Sequence, residues 1–171
     1  MDNLKQRAID KLTHNLEELI SIYRHMLESV RKEKDLLISA DHEGLNNNNT
    51  NKEELILKMR LADVLRIKHA EELCEVLGLD KTNPRLSIMA QHLEEPYSSH
   101  LRNQQATLEL IIEHLMEINK ENEKYATSAL HLVNGAMDNI KETVSGKTTY
   151  EKKGQYKAGP HIAGNFVSKE V

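Results

Sequence analysis

The side chains with most chemical potential in this sequence are nine histidines, one cysteine and two asparagines three residues apart. Metal chemistry is the first thing nine imidazoles suggest. None sits in an H-E-x-x-H pair, and none has a Glu three residues before it, the arrangement of helical carboxylate-metal bundles. His14, His25, His42, His100 and His131 read as solvated helix surface, and His69 as a satisfied, partly buried imidazole. A single cysteine, Cys74, excludes an internal disulfide or a multi-cysteine zinc site and reads as a small buried apolar side chain. There is no glycine loop ahead of a helix to cradle phosphate. Ser, Thr and carboxylates are scattered along helix faces rather than converging, so an enzyme, a metal and a cofactor are not expected.

Two constellations remain, and both suit binding. Asn119 and Asn122, in "EINKENEKYA", share one side of a helix, with Asn122 on its apolar seam. Such a pair is either a polar layer that fixes helix register or a contact reserved for a partner. Close by, Leu130, Val133, Met137, Ile140 and Val144 recur at spacings of 3,4,3,4, one residue off the seam of the same helix. One neighbouring helix does not need both stripes. The second is either covered by a short helix of the chain or is a groove for a partner's amphipathic helix, with Met137 as an adaptable contact.

The elements that must position these residues are helices. The chain has 171 residues, 29% charged and 39% apolar, and only 4% aromatic, so Leu, Ile, Met and Ala supply the core. Residues 1–40 contain no Gly or Pro, and Ile9, Leu12, Leu16, Leu19, Tyr23, Met26 and Val30 form a 3,4 seam. A second helix carries Leu55, Met59, Ala62, Leu65, His69, Leu73 and Val76, and Gly78 stops it. Its start is ambiguous. Gly44 and Asn46 to Asn49 favour a turn followed by a Thr50–Glu53 capping box, whereas Asp41 is an alternative N-cap. Asn83 and Pro84 open a short third helix with Leu86, Met89, Ala90 and Leu93, ended by Pro96. A fourth runs from about Ser98 to Val144 with the seam Leu108, Ile111, Leu115, Ile118, Asn122, Tyr125, Ala129, Leu132 and Ala136. Long helices on short links fold back on each other. The expectation is an all-α fold, an elongated antiparallel bundle of three long helices plus one short helix over residues 1–145.

Residues 146–171 break the pattern with Gly154, Gly159, Pro160 and Gly164, so a mobile tail is expected. The tail holds five Lys and two Glu, net +3, against −4 for the whole chain, so the helical part carries −7. An acidic bundle gives no footprint for nucleic acid. No apolar run approaches the ~18 residues of a membrane span, and the polar N-terminus lacks the apolar core of a signal peptide. The expected location is the cytoplasm. Tyr150, Tyr156 and Phe166, half of the six aromatics, lie in the tail and suit a segment that orders on docking or folds back on the bundle.

In order and spacing, these motifs resemble the FlgN family of flagellar type III export chaperones. They are Asp41, Leu45, Lys52, Glu53 and Leu55 around the second helix start, and "LGLD" at its end. The Asn119–Asn122 pair and Thr149-Tyr150 with Gly154 follow. The resemblance spans about residues 1 to 157 and favours Asp41 as the start of helix two. It implies a non-enzymatic cytoplasmic chaperone that binds C-terminal amphipathic segments of the hook-associated proteins FlgK and FlgL. Such a chaperone prevents premature assembly and delivers its substrates to the flagellar export gate. The partner-binding candidates are then Leu130, Val133, Met137, Ile140, Val144 and Tyr150. A structural coiled-coil scaffold or adaptor is the alternative.

Overall fold

The computed structural model describes residues 2–144, and every regular element among them is helical: α1 (Asp2–Ser39), α2 (His42–Leu77), α3 (Leu86–Gln91) and α4 (Tyr97–Val144). Residues 1–126 form one compact unit, and the chain from residue 127 forms a second.

Within the first unit α1 is the axis. Its seam residues Ile9, Leu12, Leu16, Leu19, Met26 and Val30 are buried, with Leu12 and Leu16 fully enclosed. α2 runs antiparallel to it, tied by Lys11–Glu72 at 2.9 Å and Glu33–Lys52 at 2.8 Å. α4 runs parallel to α1. Tyr97 Oη donates to Gln6 Oε1 at 2.7 Å, Gln104 Nε2 to the Thr13 carbonyl at 3.0 Å, and Lys34 pairs with Glu121 at 2.8 Å. The core has a lower cluster, in which Met89, Ala90 and Leu93 close over Ala8, Ile9, Leu12, Leu16, Leu73 and Leu101. An upper one joins Leu19, Ile22, Met26 and Val30 to Leu55 and Ala62.

The start of α2 resolves in favour of Asp41, whose carboxylate accepts from the Gly44 N–H at 2.9 Å. Thr50 lies inside the helix and caps nothing; its hydroxyl donates back to the Asn46 carbonyl. Two local facts override the turn propensity. A Cβ on Gly44 would lie 2.5 Å from Asp41 Oδ2 and 2.6 Å from Leu36 Cδ2, so a glycine lets α2 leave α1 this tightly. The buried Asn48 side chain pairs with Ser29, accepting from its hydroxyl at 2.9 Å and donating to its carbonyl at 3.0 Å.

Three expectations need correction. The third helix begins at Leu86, and Arg85 occupies the N-cap position without a side-chain capping bond; Asn83 and Pro84 lie outside it. Asn83 uses its carbonyl on the Arg85 N–H instead. On α2, Leu65 and Val76 are exposed while Ala70 and Cys74 are buried. The expected seam steps by 4,3,3,4,4,3; at about 100° per residue Leu65 and Val76 fall to one side of the Leu55–Leu73 line, and Ala70 and Cys74 to the other, which is the buried side. On α4, burial of the seam stops at Asn122, and Tyr125 and Leu132 are exposed. The Lys34–Glu121 offset of 87 residues matches Ser39, the last residue of α1, to Ala126, so α1 supplies no further turn.

Candidate functional site

Helix α4 from residue 127 onward carries the apolar stripe at its expected spacing. Leu130, Val133, Met137, Ile140 and Val144 are all exposed, by 60, 58, 50, 57 and 74%. Steps of three and four residues keep them on one face. Leu132, from the seam one residue over, is exposed as well. Met89 and Ala90 of the short helix α3 belong to the lower core cluster of the first unit. What this stretch offers chemically is a side-by-side row of flexible aliphatic and thioether groups with polar flanks, including an Asp138–Lys141 pair at 3.8 Å. Such a surface can accept the apolar face of another helix.

The asparagine pair divides in two. Asn122 is 4% exposed, and its Nδ2 donates to the Val30 carbonyl at 2.8 Å and to Glu33 Oε2 at 3.1 Å. Glu33 in turn holds Lys52, so a short polar chain links α4, α1 and α2. Asn119 is exposed and shares a cleft with Asn122, bordered by Glu33, Leu37, Glu123 and Ala126. Asn122 is thus tied into the first unit, while Asn119 is exposed.

The remaining candidates behave as surface or core. His14, His25, His42, His100 and His131 are exposed; His69 is half-buried as expected but not satisfied, because its Nδ1 is buried without a hydrogen-bond partner and 3.7 Å from Glu72 Oε2. Among the described residues no three His, Cys, Asp or Glu side chains gather to hold a metal ion. Cys74 is buried, and desolvation pushes its thiol pKa up, helped by the nearby charges of Asp80 and Glu71. That favours the protonated, unreactive form. No described helix is long and apolar enough to cross a membrane. Tyr150 and the rest of the tail lie outside the described residues.

Sequence reasoning missed two features. Asn15 and Gln104 are buried polar residues, and both polar atoms of Asn15 lack a partner; nothing in their spacing distinguishes them from surface amides. Leu57, Leu61 and Val64 form an exposed stripe on α2 opposite its core face. Their 4,3 spacing is legible in the sequence, interleaved with the buried Leu55 and Ala62 and the half-buried Met59.

No curated protein and no solved structure matches the chain. The model of the family described as FlgN protein matches residues 1–158, spanning all four helices. The chain therefore belongs to the FlgN family, a family of flagellar export chaperones.

Proposed function

We propose that this protein is a cytoplasmic chaperone that binds the C-terminal amphipathic segments of the hook-associated proteins FlgK and FlgL. In this reading it keeps them from assembling early and hands them to the flagellar export gate. The observation that carries the reading is the exposed row Leu130, Val133, Met137, Ile140 and Val144 on α4. An amphipathic helix released from its own assembly has an apolar face to cover, and this row is its complement in spacing and chemistry. Met137 adds a side chain that repacks around different partners, which suits a carrier of two substrates. Tyr150 is assigned to docking at the export gate, because one anchored aromatic can dominate a small interface.

The test is co-purification from flagellated cells followed by mass spectrometry, with deletion of residues 146–171 as a second arm. The reading expects FlgK and FlgL to be captured by both forms and secretion to fall only for the truncated one. Capture of neither protein would end it. A scaffold that associates with itself is the second reading, favoured by exposed Leu57, Leu61 and Val64 on α2. Light scattering separates the two: a mass that rises with concentration supports the scaffold, and a constant one removes it.

A further inference from the structure

Helix α2 carries apolar residues on two sides, and the core of the first unit uses one of them. Leu55, Ala62, Leu73 and Cys74 are buried, whereas Leu57, Leu61 and Val64 on the other side are exposed by 60, 70 and 65%. Leu65, at the edge of the same row, is 44% exposed. A contiguous exposed apolar row marks a contact surface.

The charges around this row are ordered about its midpoint. Leu61 is the most exposed member, with Glu54 seven residues before it and Lys68 seven after. Seven residues make about two turns, which returns both charges to the face of Leu61, each roughly 10 Å along the helix. Glu72, one turn beyond Lys68, is held by Lys11 at 2.9 Å, so that carboxylate is already engaged. The other positions match about the same midpoint. Leu57 and Leu65 are each four residues from Leu61, and Lys58 and Val64 each three. A face matched in this way is complementary to itself turned end for end. Laid antiparallel on an identical face, with a two-fold axis at Leu61, it sets Leu57 against Leu65 and Val64 along the methylenes of Lys58. Glu54 then stands opposite Lys68 at both ends. In a parallel pair Glu54 would face Glu54, and Lys68 would face Lys68. The charge order therefore favours one orientation of a second copy and opposes the other.

We propose that the Leu57–Val64 face of α2 pairs with the same face of a second copy, antiparallel and two-fold, with Glu54 and Lys68 as the orienting charges. An isologous contact closes at two copies, which separates it from a scaffold whose mass has no such limit. The matched stretch is roughly 21 Å long, short for a permanent interface, so the pair exchanges with single chains at micromolar concentration. The α4 row Leu130 to Val144 takes no part in it, so pairing and the carrying of substrate segments are separate properties of one chain.

The experiment is sedimentation equilibrium of the full-length protein over about a hundredfold range of concentration, reaching the high micromolar. The proposal expects a mass that climbs from one chain to two and levels there. Leu61→Glu sets two carboxylates against each other on the axis and should hold the mass at one chain throughout. Its melting temperature in dilute solution should stay within about 2 °C of the parent, since Leu61 is exposed. Glu54→Lys loses two attractions and gains two repulsions, and should weaken the pair by about tenfold. Adding Lys68→Glu restores opposite signs and should return the pair to within about twofold of the parent. No readout here uses FlgK or FlgL, so the pair can fail while the chaperone reading stands, and the reverse. A single chain at every concentration, a mass that passes two chains, an unaffected Leu61→Glu, or a double reversal no stronger than Glu54→Lys alone would each overturn the proposal.

Discussion

Four consecutive asparagines, Asn46 to Asn49, sit in the second turn of α2, and replacing them by alanine one at a time should give opposite signs. Asn46, Asn47 and Asn49 are exposed, whereas Asn48 is 5% exposed and paired with Ser29. Alanine is the better helix former by roughly 0.5–0.7 kcal/mol per residue, so Asn49→Ala should stabilise by about half a kcal/mol. At Asn48 the same propensity gain is set against two lost hydrogen bonds, one from the Ser29 hydroxyl and one to the Ser29 carbonyl. Each is worth about 0.5–1.5 kcal/mol. Asn51 still donates to the Ser29 hydroxyl at 3.2 Å, which limits the penalty on that group. The net cost is then about 1–2 kcal/mol. For a chain of this size a kcal/mol moves the melting temperature by about 2–4 °C, so Asn48→Ala should lose roughly 2–8 °C and Asn49→Ala gain 1–2 °C. Thermal and urea unfolding followed by circular dichroism measure both. If the two variants shift together, the Asn48–Ser29 pair does not hold α2 to α1, and the account of how α2 begins at Asp41 is wrong.

Gly135→Ala meets nothing within 4 Å and should raise helicity, whereas at Gly44 the added methyl must displace the Asp41 cap or Leu36. Gly44→Ala should therefore forfeit the usual helix gain and destabilise by about 1 kcal/mol, read from urea midpoints. Asn122→Leu trades the bonds to Val30 and Glu33 for relief of an unpaired oxygen, so its stability should change by less than ~1 kcal/mol. A loss above ~3 kcal/mol would mean that the oxygen is satisfied and a complete network was broken. Because burial raises the Cys74 thiol pKa, its reaction with a thiol reagent at pH 8 should be slow in the folded protein and accelerate only across the unfolding transition. Fast labelling of the native state would refute a sealed lower core.

The helices were legible where neighbours line one continuous face. The α1 seam was correct at Ile9, Leu12, Leu16, Leu19, Met26 and Val30, within the Gln6 to Lys34 stretch that α2 and α4 tie. The α2 seam was readable only in part: Leu65 and Val76 lie to one side of the Leu55–Leu73 line, and burial follows Ala70 and Cys74 on the other. At α3 the residue types suited a cap at Asn83, but the chain reaches the lower core two residues later, and Met89 and Ala90 decide where the turn forms. The candidate face on α4 was legible from spacing, since it needs no partner to define it. What spacing could not reveal was that the seam itself is uncovered past Asn122, because that depends on where α1 ends. Nor could it show that the Asn122 carboxamide is buried against Val30 and Glu33 while Asn119 is exposed.

The central claim is that the face Leu130 to Val144 is kept for a partner rather than for the fold, and Met137→Glu with Ile140→Glu tests it most directly. Both side chains are at least half exposed, and substitutions at such positions change stability by about 0.5 kcal/mol or less each. Burying their carboxylates against a docked helix costs several kcal/mol, roughly, which corresponds to a loss of affinity of at least 100-fold. Calorimetric titration with the C-terminal segments of FlgK and FlgL, beside a thermal melt of the same double variant, reads both quantities. The account predicts affinity lost by that factor or more and a melting temperature within about 4 °C of the parent. A sharply lowered melting temperature, or full affinity in the double variant, would contradict it.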